Sequence, residues 1–352
     1  MYSLLDVLIY LSPYRDYAGT FGPVKSTLLS FLVISIAYLV GYGMFLRRNH
    51  FIVDGRLVVI TGGSQGMGKA MAIDLSKRGA NIVIVARDKS KLKAAAKEIE
   101  NARRSDQQTV RFVSADLTSA KEAQRALDEC GGIPDVLLCC AGMSNPQLFI
   151  DQETDVFDWS MKMNYFTALY ITHATWKLMA KNPLPKDSPP RHIMFVSSFC
   201  GFITFAGYSS YSPTKAALRS LADTLRQEGM IYNIKVHCSF PSTIYTPGFE
   251  QEQLIKPDLT KELEGSDAGQ TAEQVSKAVL KGLDSGEFLI TTELFGNMAR
   301  NSMKGLSPRN NVLVDTVLGV LGGIIWPFVR FDFDRKVKRY ATMEMQKRSK
   351  QE

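Results

Sequence analysis

The stretch LVVITGGSQGMGKA, residues 57–70, decides the fold. A run of β-branched and apolar residues leads into a glycine-rich turn, after which helix-forming residues begin. Gly62, Gly66 and Gly68 give the spacing TGxxxGxG, a variant of the strand–turn–helix fingerprint for a dinucleotide. Glycine lets the backbone approach a pyrophosphate, and the helix N-terminus offers unpaired N–H groups and a partial positive charge. We therefore predict a dinucleotide site in this turn. Two neighbouring side chains are predicted to add donors there, Ser64 and Gln65.

Outward from this stretch, short β-branched runs alternate with longer helical patterns. The predicted strands are Leu57–Thr61, Asn81–Ala86, Val110–Ser114, Asp135–Cys139, His192–Ser197 and Asn233–Ser239. The predicted helices are Lys69–Arg78, Ser90–Arg103, Ala120–Cys130, Phe157–Met179 and Ala216–Ile231. Apolar strands joined by helices indicate a parallel sheet covered on both faces. We predict an α/β fold with a Rossmann-type doubly wound parallel sheet, which binds ligands at the carboxyl ends of its strands. A proline-rich loop is predicted at 182–190, and no element is predicted in the glycine- and polar-rich stretch 286–310.

Composition restricts the class of protein. The chain has 352 residues, 22% charged and 10% aromatic, which argues against disorder and allows one large or two small domains. The five cysteines are odd in number and lack CxxC spacing, so a disulfide framework or a metal site is not expected. The formal charge of +7 suits nucleic acid or anionic lipid, and its distribution favours lipid.

The first apolar end is TLLSFLVISIAYLVGYGMFL, an uncharged run over residues 27–46. A helix of about 20 residues spans the hydrocarbon core of a bilayer. A cleaved signal peptide is the alternative, which the lack of a positive n-region and a small-residue cleavage site disfavours. We predict a segment 1–25 followed by a transmembrane anchor at 26–48. The arginines that follow the anchor favour a cytosolic catalytic side.

The second apolar end is VLVDTVLGVLGGIIWPFV, residues 312–329, within a C-terminal extension at 286–330. It carries Asp315, three glycines and Pro327, and is either a short or re-entrant membrane segment or an apolar core helix. The tail 331–352 is basic, which suits an anionic leaflet, and a solvated helical tail is the alternative. We predict membrane contact at this end of the chain.

The second predicted strand ends at Arg87, where an NAD-selective protein often places an acid against the ribose 2′-hydroxyl. Arginine suits the 2′-phosphate of NADP, and Lys91 adds a second cation one helical turn later. Asp88 leaves open a direct ribose contact. After the third strand, Asp116, followed by Leu117, is an adenine contact, a helix N-cap or both. We predict NADPH as the cofactor, bound by these residues and the glycine turn.

A candidate catalytic set lies in the segment that follows the fifth predicted strand. Tyr211 and Lys215 are four residues apart, which places them on one face of a helix, and Ser198 precedes the tyrosine by thirteen residues. A nearby ammonium favours the phenolate, so a tyrosine can exchange a proton with a carbonyl or alkoxide near neutral pH. Ser197 adjoins Ser198, and the spacing favours Ser198.

These features occur in order with a CAG turn at 140–142, the motif MNYF around Asn164, and PSTIYTPG from Pro241. Together they closely resemble the short-chain dehydrogenase/reductase family over residues 55–285, the predicted catalytic domain. The resemblance implies that Ser198 polarises a carbonyl, Tyr211 donates the proton, Lys215 binds the nicotinamide ribose and lowers the tyrosine pKa, and Asn164 holds a water in the proton relay. It also implies a nicotinamide contact from Pro241, Ile244 and Thr246. Cys139–Cys140 stand where many members have Asn-Asn, which leaves the side-chain bonds of that turn open.

Within the family, GGSQGMG, ARDKSKL, SSYSPTK and TPGFEQEQ most resemble the members that reduce 3-oxosphinganine to sphinganine. The resemblance implies an NADPH-dependent reaction in sphingolipid synthesis at the cytosolic face of the endoplasmic reticulum membrane, and it allows a homo-oligomer. A long-chain ketone partitions into the bilayer, so an anchored enzyme meets more of it. Phe249 and Leu254 are predicted to belong to an amphipathic lid, with Glu250 or Glu252 near an amino headgroup. The alternatives are a membrane reductase of a sterol, retinoid or 3-oxoacyl chain, and a non-catalytic NADPH-binding scaffold; nucleic acid is not an expected partner.

Overall fold

Seven parallel strands form the central sheet of the computed structural model, which describes residues 51–185, 187–265 and 269–348, with backbone alone for 344–348. The strands are β1 (Leu57–Thr61), β2 (Asn81–Ala86), β3 (Val110–Ser114), β4 (Val136–Cys139), β5 (Arg191–Val196), β6 (Ile234–Phe240) and β9 (Leu289–Thr291), in the spatial order β3-β2-β1-β4-β5-β6-β9. Two short strands, β7 (Ile244–Tyr245) and β8 (Gln270–Thr271), pair separately. The order reverses between β1 and β4, and in such sheets ligands bind at this switch point.

Helices cover both faces of the sheet and form its connections. Those that follow the first five strands are α1 (Gly66–Lys77), α2 (Lys89–Asn101), α3 (Ala120–Asp128), α4 (Asp155–Met161), α5 (Thr167–Lys181) and α6 (Ser212–Gly229). Those nearer the C-terminus are α7 (Pro247–Ile255), α8 (Asp258–Glu264), α9 (Ala272–Asp284), α10 (Leu294–Met303) and α11 (Val312–Arg348). A π-helical turn at Lys162–Phe166 joins α4 to α5, and a 3₁₀ turn at Phe199–Gly201 follows β5.

The core consists of two apolar layers, one on each face of the sheet. Because successive strand residues point to opposite faces, Val59 packs in one layer while Val58 and Ile60 pack in the other. The first layer includes residues from α3, α5 and α6, and the second includes residues from α1, α2 and α9. Each fully buried large aliphatic side chain contributes roughly 1.5–3 kcal/mol relative to exposure, so the two layers hold the strand ends in fixed register.

The predicted doubly wound parallel sheet is confirmed, and three strands have the predicted bounds. The predicted helix at 157–179 is interrupted by the π-helical turn. The stretch 286–310, in which no element was predicted, contains β9 and α10. The predicted anchor at 26–48 lies outside the described residues, and the predicted domain bounds remain predictions.

The C-terminal apolar stretch is the start of α11. Val312–Met343 is long and apolar enough to cross a membrane, with a mean hydropathy of 2.0 in its most apolar window, and it is the one such helix among the described residues. Only 11% of that window is buried, so the alternative of an apolar core helix is wrong.

Candidate active site

The glycine turn between β1 and α1 has the backbone geometry that the spacing predicts. Gly62 and Gly66 have positive φ values of 67° and 55°, which side chains with a Cβ rarely adopt. A Cβ on Gly68 would lie 2.4 Å from the carbonyl oxygen of Gly62. Gln65, the N-cap of α1, makes no side-chain capping bond. The turn therefore presents backbone and the uncapped N-terminus of a helix to a ligand, an arrangement that fits a pyrophosphate.

A cavity of about 1290 Å³ lies at the carboxyl ends of the strands. Its wall joins the glycine turn to the Ser–Tyr–Lys set, so a cofactor and a substrate can share it. All the predicted cofactor residues line it: Gly62, Ser64, Gln65, Gly66, Gly68, Arg87, Lys91, Asp116, Leu117, Tyr211, Lys215 and Ile244. A Cβ on Gly66 would lie 3.0 Å from the Cγ2 atom of Thr246, so the segment from Pro241 onward approaches the turn closely.

The cationic pair predicted for the 2′-phosphate lies at one end of this cavity. The guanidinium of Arg87 is exposed and contacts only the sulfur atoms of Met163 and Met143, each at 3.9 Å, among the side-chain bonds described. Lys91 Nζ lies 3.4 Å from the side-chain oxygen of Gln65. Asp88 instead caps α2, accepting from the hydroxyl of Ser90 and from the backbone N–H groups of Lys91 and Ser90, and these bonds lower its pKa. The carboxylate is thus engaged, whereas both cations face the cavity.

Asp116 has a different local role from the N-cap considered for it. Its carboxylate accepts hydrogen bonds from the backbone N–H and hydroxyl of Thr118 at 3.1 and 2.8 Å. Ser119 is the N-cap of α3, so the N-cap alternative for Asp116 is wrong. The turn made with Thr118 holds Asp116 and Leu117 in the cavity wall, where the predicted adenine contact stays a prediction.

The two adjacent serines have different surroundings. The hydroxyl of Ser197 is buried and donates to the carbonyl oxygen of Lys215 at 2.8 Å. The hydroxyl of Ser198 accepts from the backbone N–H of Cys200 at 3.2 Å and also hydrogen-bonds to Tyr211. Ser197 therefore ties β5 to α6, and the geometry favours Ser198 as the serine beside the reacting oxygen.

Tyr211 and Lys215 lie together at the start of α6. Tyr211 is the N-cap of α6, and the Lys215 Nζ atom lies 5.4 Å from the centre of its ring. Lys215 also donates to the carbonyl oxygen of Val196 at 3.0 Å, and burial lowers its pKa to about 8. Burial is likewise the largest influence on Tyr211 and raises its pKa, opposite to the effect expected from the lysine. The phenol is consequently protonated at neutral pH, the form that donates a proton.

Asn164 is fully buried in the π-helical turn and does not line the cavity. Its amide group donates to the carbonyl oxygen of Met143 at 2.8 Å and accepts from the N–H of Met143 at 3.0 Å. A Cβ on Gly142 would lie 2.7 Å from Asn164 Oδ1 and 3.2 Å from Lys215 Nζ. The side chain thus fixes the turn after β4 beside the lysine, and π-helical turns are frequent at functional sites.

Cys139 ends β4 and Cys140 begins the turn after it, and the structure shows which bonds hold that turn. Backbone bonds hold it, since Cys140 N–H donates to the carbonyl oxygen of Thr61 at 3.2 Å. Ala141 N–H donates to the hydroxyl of Thr61 at 3.3 Å. The sulfur of Cys139 is buried near the hydroxyl of Thr172 at 3.5 Å. The turn therefore keeps its position without the amide side chains that many relatives have there.

A charged cluster in the cavity wall was largely missed from the sequence. Lys256 Nζ, with only 1% of its side chain exposed, lies 2.8 Å from Glu252 and 2.7 Å from Glu264. The phenol oxygen of Tyr208 lies 2.6 Å from Glu252 and 2.5 Å from Glu264, so its single O–H group donates to one of these carboxylates at a time. We call Tyr208, Glu252, Lys256 and Glu264 the acidic cluster, because two carboxylates face one ammonium. The Tyr208 ring centre lies 5.6 Å from that of Tyr211, so the cluster borders the proton donor.

The i, i+4 spacing of Glu252 and Lys256 was a usable sequence signal, whereas Glu264 and Tyr208 gave none. Of the two glutamates considered for an amino headgroup, Glu252 lines the cavity and Glu250 is exposed outside the residues that form the wall. Phe249 and Ile255 also line it, whereas Leu254 is 77% exposed and does not.

A family model described as short chain dehydrogenase matches residues 56–254, more than half of the chain, which include the glycine turn, Ser198, Tyr211 and Lys215. The chain belongs to the short-chain dehydrogenase/reductase family. Among its relatives, a 3-ketodihydrosphingosine reductase of Aspergillus fumigatus is 41% identical and covers 92% of this chain and 94% of its own length. A 3-dehydrosphinganine reductase of Danio rerio is 36% identical over 80% of this chain and 85% of its own length.

Solved structures of the short-chain dehydrogenase/reductase family share the fold. A short-chain dehydrogenase from Sphingobium yanoikuyae in complex with NADPH has a TM-score of 0.58 at 23% identity, covering 67% of this chain and 87% of its own. One from Mycobacterium ulcerans has a TM-score of 0.59 at 22% identity, covering 68% and 89%. The family assignment makes the protein an oxidoreductase that uses a nicotinamide cofactor. The glycine turn and the cavity described above suit such a cofactor.

Proposed function

We propose that this protein reduces 3-oxosphinganine to sphinganine with NADPH, a step of sphingolipid synthesis. The observation that carries the proposal is the similarity, over almost the whole chain, to relatives described as reductases of this ketone. The Ser–Tyr–Lys set in one cavity with a dinucleotide turn supports a carbonyl reduction.

Each catalytic side chain has a distinct task in this proposal. When bound, NADPH supplies the hydride for the carbonyl carbon. Ser198 donates a hydrogen bond to the carbonyl oxygen and holds it beside the phenol of Tyr211. Tyr211 gives its proton to that oxygen, which becomes the hydroxyl of the product. The buried ammonium of Lys215 then stabilises the phenolate, because a charge acts more strongly away from water.

Asn164 positions the turn after β4 beside Lys215. We propose that Asn164 supports the proton relay through the turn it fixes at Met143 and not through a side chain exposed to the cavity. Both N–H groups of its amide donate to backbone carbonyls, so these donors are not free to hold a water of the relay.

NADPH is favoured over NADH by charge at the predicted ribose site. Arg87 and Lys91 both line the cavity, and Asp88, the acid nearest to them in sequence, is occupied in capping α2. A 2′-phosphate carries negative charge that two cations attract, while the 2′-hydroxyl of NAD offers no such partner.

The acidic cluster supports an amino ketone among the lipid ketones considered. Its two carboxylates exceed the single ammonium of Lys256 by one negative charge, and it lies next to the proton donor. The substrate carries its amine on the carbon adjacent to the carbonyl, so an ammonium would reach the cluster while the ketone reaches Tyr211. A sterol, a retinoid or a neutral 3-oxoacyl chain has no group to balance this charge.

The site of action is proposed to be the endoplasmic reticulum membrane with the catalytic domain in the cytosol. The apolar run at 27–46, its following arginines and the apolar first half of α11 support membrane residence. The long hydrocarbon chain of the ketone would keep it in the same membrane.

NADPH oxidation by the detergent-solubilised protein tests the proposal. The assay compares 3-oxosphinganine with a sterol ketone and a 3-oxoacyl thioester, and reads out the alcohol product as well as the cofactor. Turnover confined to 3-oxosphinganine is the expected result. Turnover with another ketone alone would overturn the substrate, and NADPH binding without turnover of any ketone would favour a non-catalytic scaffold.

A further inference from the structure

One face of α11 packs against the catalytic domain along most of its length. Near its start, Asp315 pairs with Arg300 of α10 at 2.7 Å, and the two side chains are only 1% and 4% exposed. About three helical turns further on, the indole N–H of Trp326 donates to the hydroxyl of Ser302 at 2.8 Å. The ring of Phe333 then lies 5.6 Å from that of Phe205. An ion pair between Arg339 and Glu262 of α8 extends the contact further.

The same inner face forms part of the wall of the catalytic cavity. Five residues near the middle of α11 line the cavity, namely Phe328, Val329, Asp332, Phe333 and Lys336, and Phe328 among them is 72% exposed and borders the outer face. Asp332 and Lys336 form an ion pair at 2.8 Å, so the wall changes from apolar to charged within two helical turns. The helix is therefore a structural part of the cavity mouth and not a separate tail.

The outer face of α11 is apolar and exposed from Leu313 to Phe331. Its members follow helical spacing, and three of them, Val320, Ile324 and Phe331, are 62%, 58% and 70% exposed. Leu313, Val317 and Leu321 belong to the same face and are also exposed. From Val312 to Val329 the stretch contains a single charged residue, Asp315, which is turned inward. We call these six residues the apolar face.

Exposed basic residues follow the apolar face along α11. Residues 330–343 contain five basic residues against two acidic ones. Arg330, Arg335 and Arg339 keep 84%, 70% and 64% of their side chains exposed. An anionic leaflet attracts such residues, and an amphipathic helix in the interface places its apolar face among acyl chains.

We propose that α11 lies along the surface of an anionic phospholipid bilayer instead of crossing it, with the apolar face in the acyl region and the cavity mouth at the headgroups. A crossing helix would be surrounded by lipid, but the inner face of α11 is occupied by polar and ionic contacts with α8 and α10. The mouth at Phe328–Lys336 lies beside the exposed ring of Phe331 on one side and the exposed Arg330 and Arg335 on the other, which places it at the boundary between acyl chains and headgroups. A lipid ketone then enters the cavity from the leaflet without passing through water; this last step rests on the proposed function.

Labelling of the full-length protein in sealed microsomes tests the orientation without any activity. Met343→Cys reports the far end of α11, and Ile231→Cys reports the catalytic domain at the amino ends of the strands, just before β6 begins. The wild-type protein, with five native cysteines, gives the background. A surface helix predicts that a membrane-impermeant maleimide labels both variants to the same extent without detergent. Labelling of Met343→Cys only after detergent would mean that the helix crosses, and would overturn the proposal.

Depth is measured with a fluorophore on Ile324→Cys in vesicles of phosphatidylcholine with phosphatidylserine. We expect nitroxide lipids to quench it at least five-fold more strongly than the same fluorophore on Ile231→Cys, which is also an exposed apolar position. Equal quenching at the two positions would overturn the proposal, and would indicate that protein and not lipid covers the apolar face.

Kinetics then separate this inference from the proposed function. Val320→Asp with Ile324→Asp should raise the KM for vesicle-bound 3-oxosphinganine at least ten-fold and leave turnover of a short, water-soluble analogue unchanged, whereas Ile231→Asp should change neither. Equal KM values for variant and wild type would contradict entry from the leaflet. Absence of wild-type turnover with either ketone would instead contradict the proposed function and leave the labelling results standing.

Discussion

Replacing Glu252 by glutamine tests the acidic cluster as the binding site for the substrate amine. The change keeps the shape of the side chain and removes one negative charge, so that Lys256 and Glu264 remain as a neutral pair. A hydrogen bond to a charged group contributes about 1.5–3 kcal/mol. At about 1.36 kcal/mol per factor of ten, kcat/KM for 3-oxosphinganine should fall roughly 10- to 150-fold.

The assay compares 3-oxosphinganine with the same ketone lacking the amine, in matched detergent micelles. The deaminated ketone loses no charge partner in the variant, so its kcat/KM should change less than three-fold. Glu250→Gln is the control, because Glu250 is on the same helix, α7, and is exposed outside the cavity wall. NADPH affinity and the unfolding temperature of the variant show whether the site is intact. Equal losses for the two ketones, or no loss for the amino ketone, would refute the assignment.

Three further changes test the remaining roles. Tyr211→Phe should reduce kcat at least 10³-fold and leave NADPH affinity within three-fold, as measured by cofactor fluorescence; lost binding would contradict the role of proton donor. Lys215→Met should weaken NADPH binding and flatten the pH dependence of stability. Burial lowers the pKa of Lys215 from its usual 10.5 to about 8, so the folded protein binds fewer protons than the unfolded chain between these values. Stability of the wild type relative to the variant should therefore rise by up to about 3 kcal/mol from pH 8 to 10.5 in denaturant unfolding, and parallel curves would count against the buried ammonium. Arg87→Ala should reduce the preference for NADPH over NADH by at least ten-fold, and an unchanged ratio of kcat/KM values would exclude Arg87 from the 2′-phosphate site.

The sheet was predictable because its strands are buried on both faces and read as continuous apolar runs. β1, β2 and β3 have the predicted bounds, since each is followed or preceded by glycine or polar residues that end the run. β9 was missed because it has only three residues. Its place in the sheet depends on pairing with β6, and no local sequence pattern indicates this pairing. The π-helical turn at 162–166 has the same periodicity as the helices on either side and cannot be distinguished by pattern.

Residues of the site that belong to one motif were predictable, and those assembled by tertiary contacts were not. Tyr211, Lys215 and the glycines keep fixed spacings because one helix or one turn positions them. Glu264 reaches the cavity only because α8 folds back after α7, and Lys256 bridges it to Glu252. The tyrosine pKa illustrates the same limit: burial, which the sequence does not reveal, outweighs the neighbouring lysine.

At the C-terminal end, the sequence predicts an apolar segment but does not predict where it packs. Hydropathy identified the apolar stretch at 312–329, but the contacts of its inner face with α10 and the cavity depend on Asp315, Trp326 and Phe333. An aspartate in an apolar run reads as an interruption, whereas here it forms a buried ion pair with Arg300.

Transfer of deuterium from cofactor to lipid tests the central claim most directly. The full-length protein is mixed with 3-oxosphinganine and NADPH that carries deuterium at the transferable position of the nicotinamide C4 atom, and the lipid is analysed by mass spectrometry. We expect sphinganine with one deuterium at C3 from the wild type and none from Tyr211→Phe. Unlabelled sphinganine, or unchanged ketone beside bound NADPH, would contradict hydride transfer to this substrate.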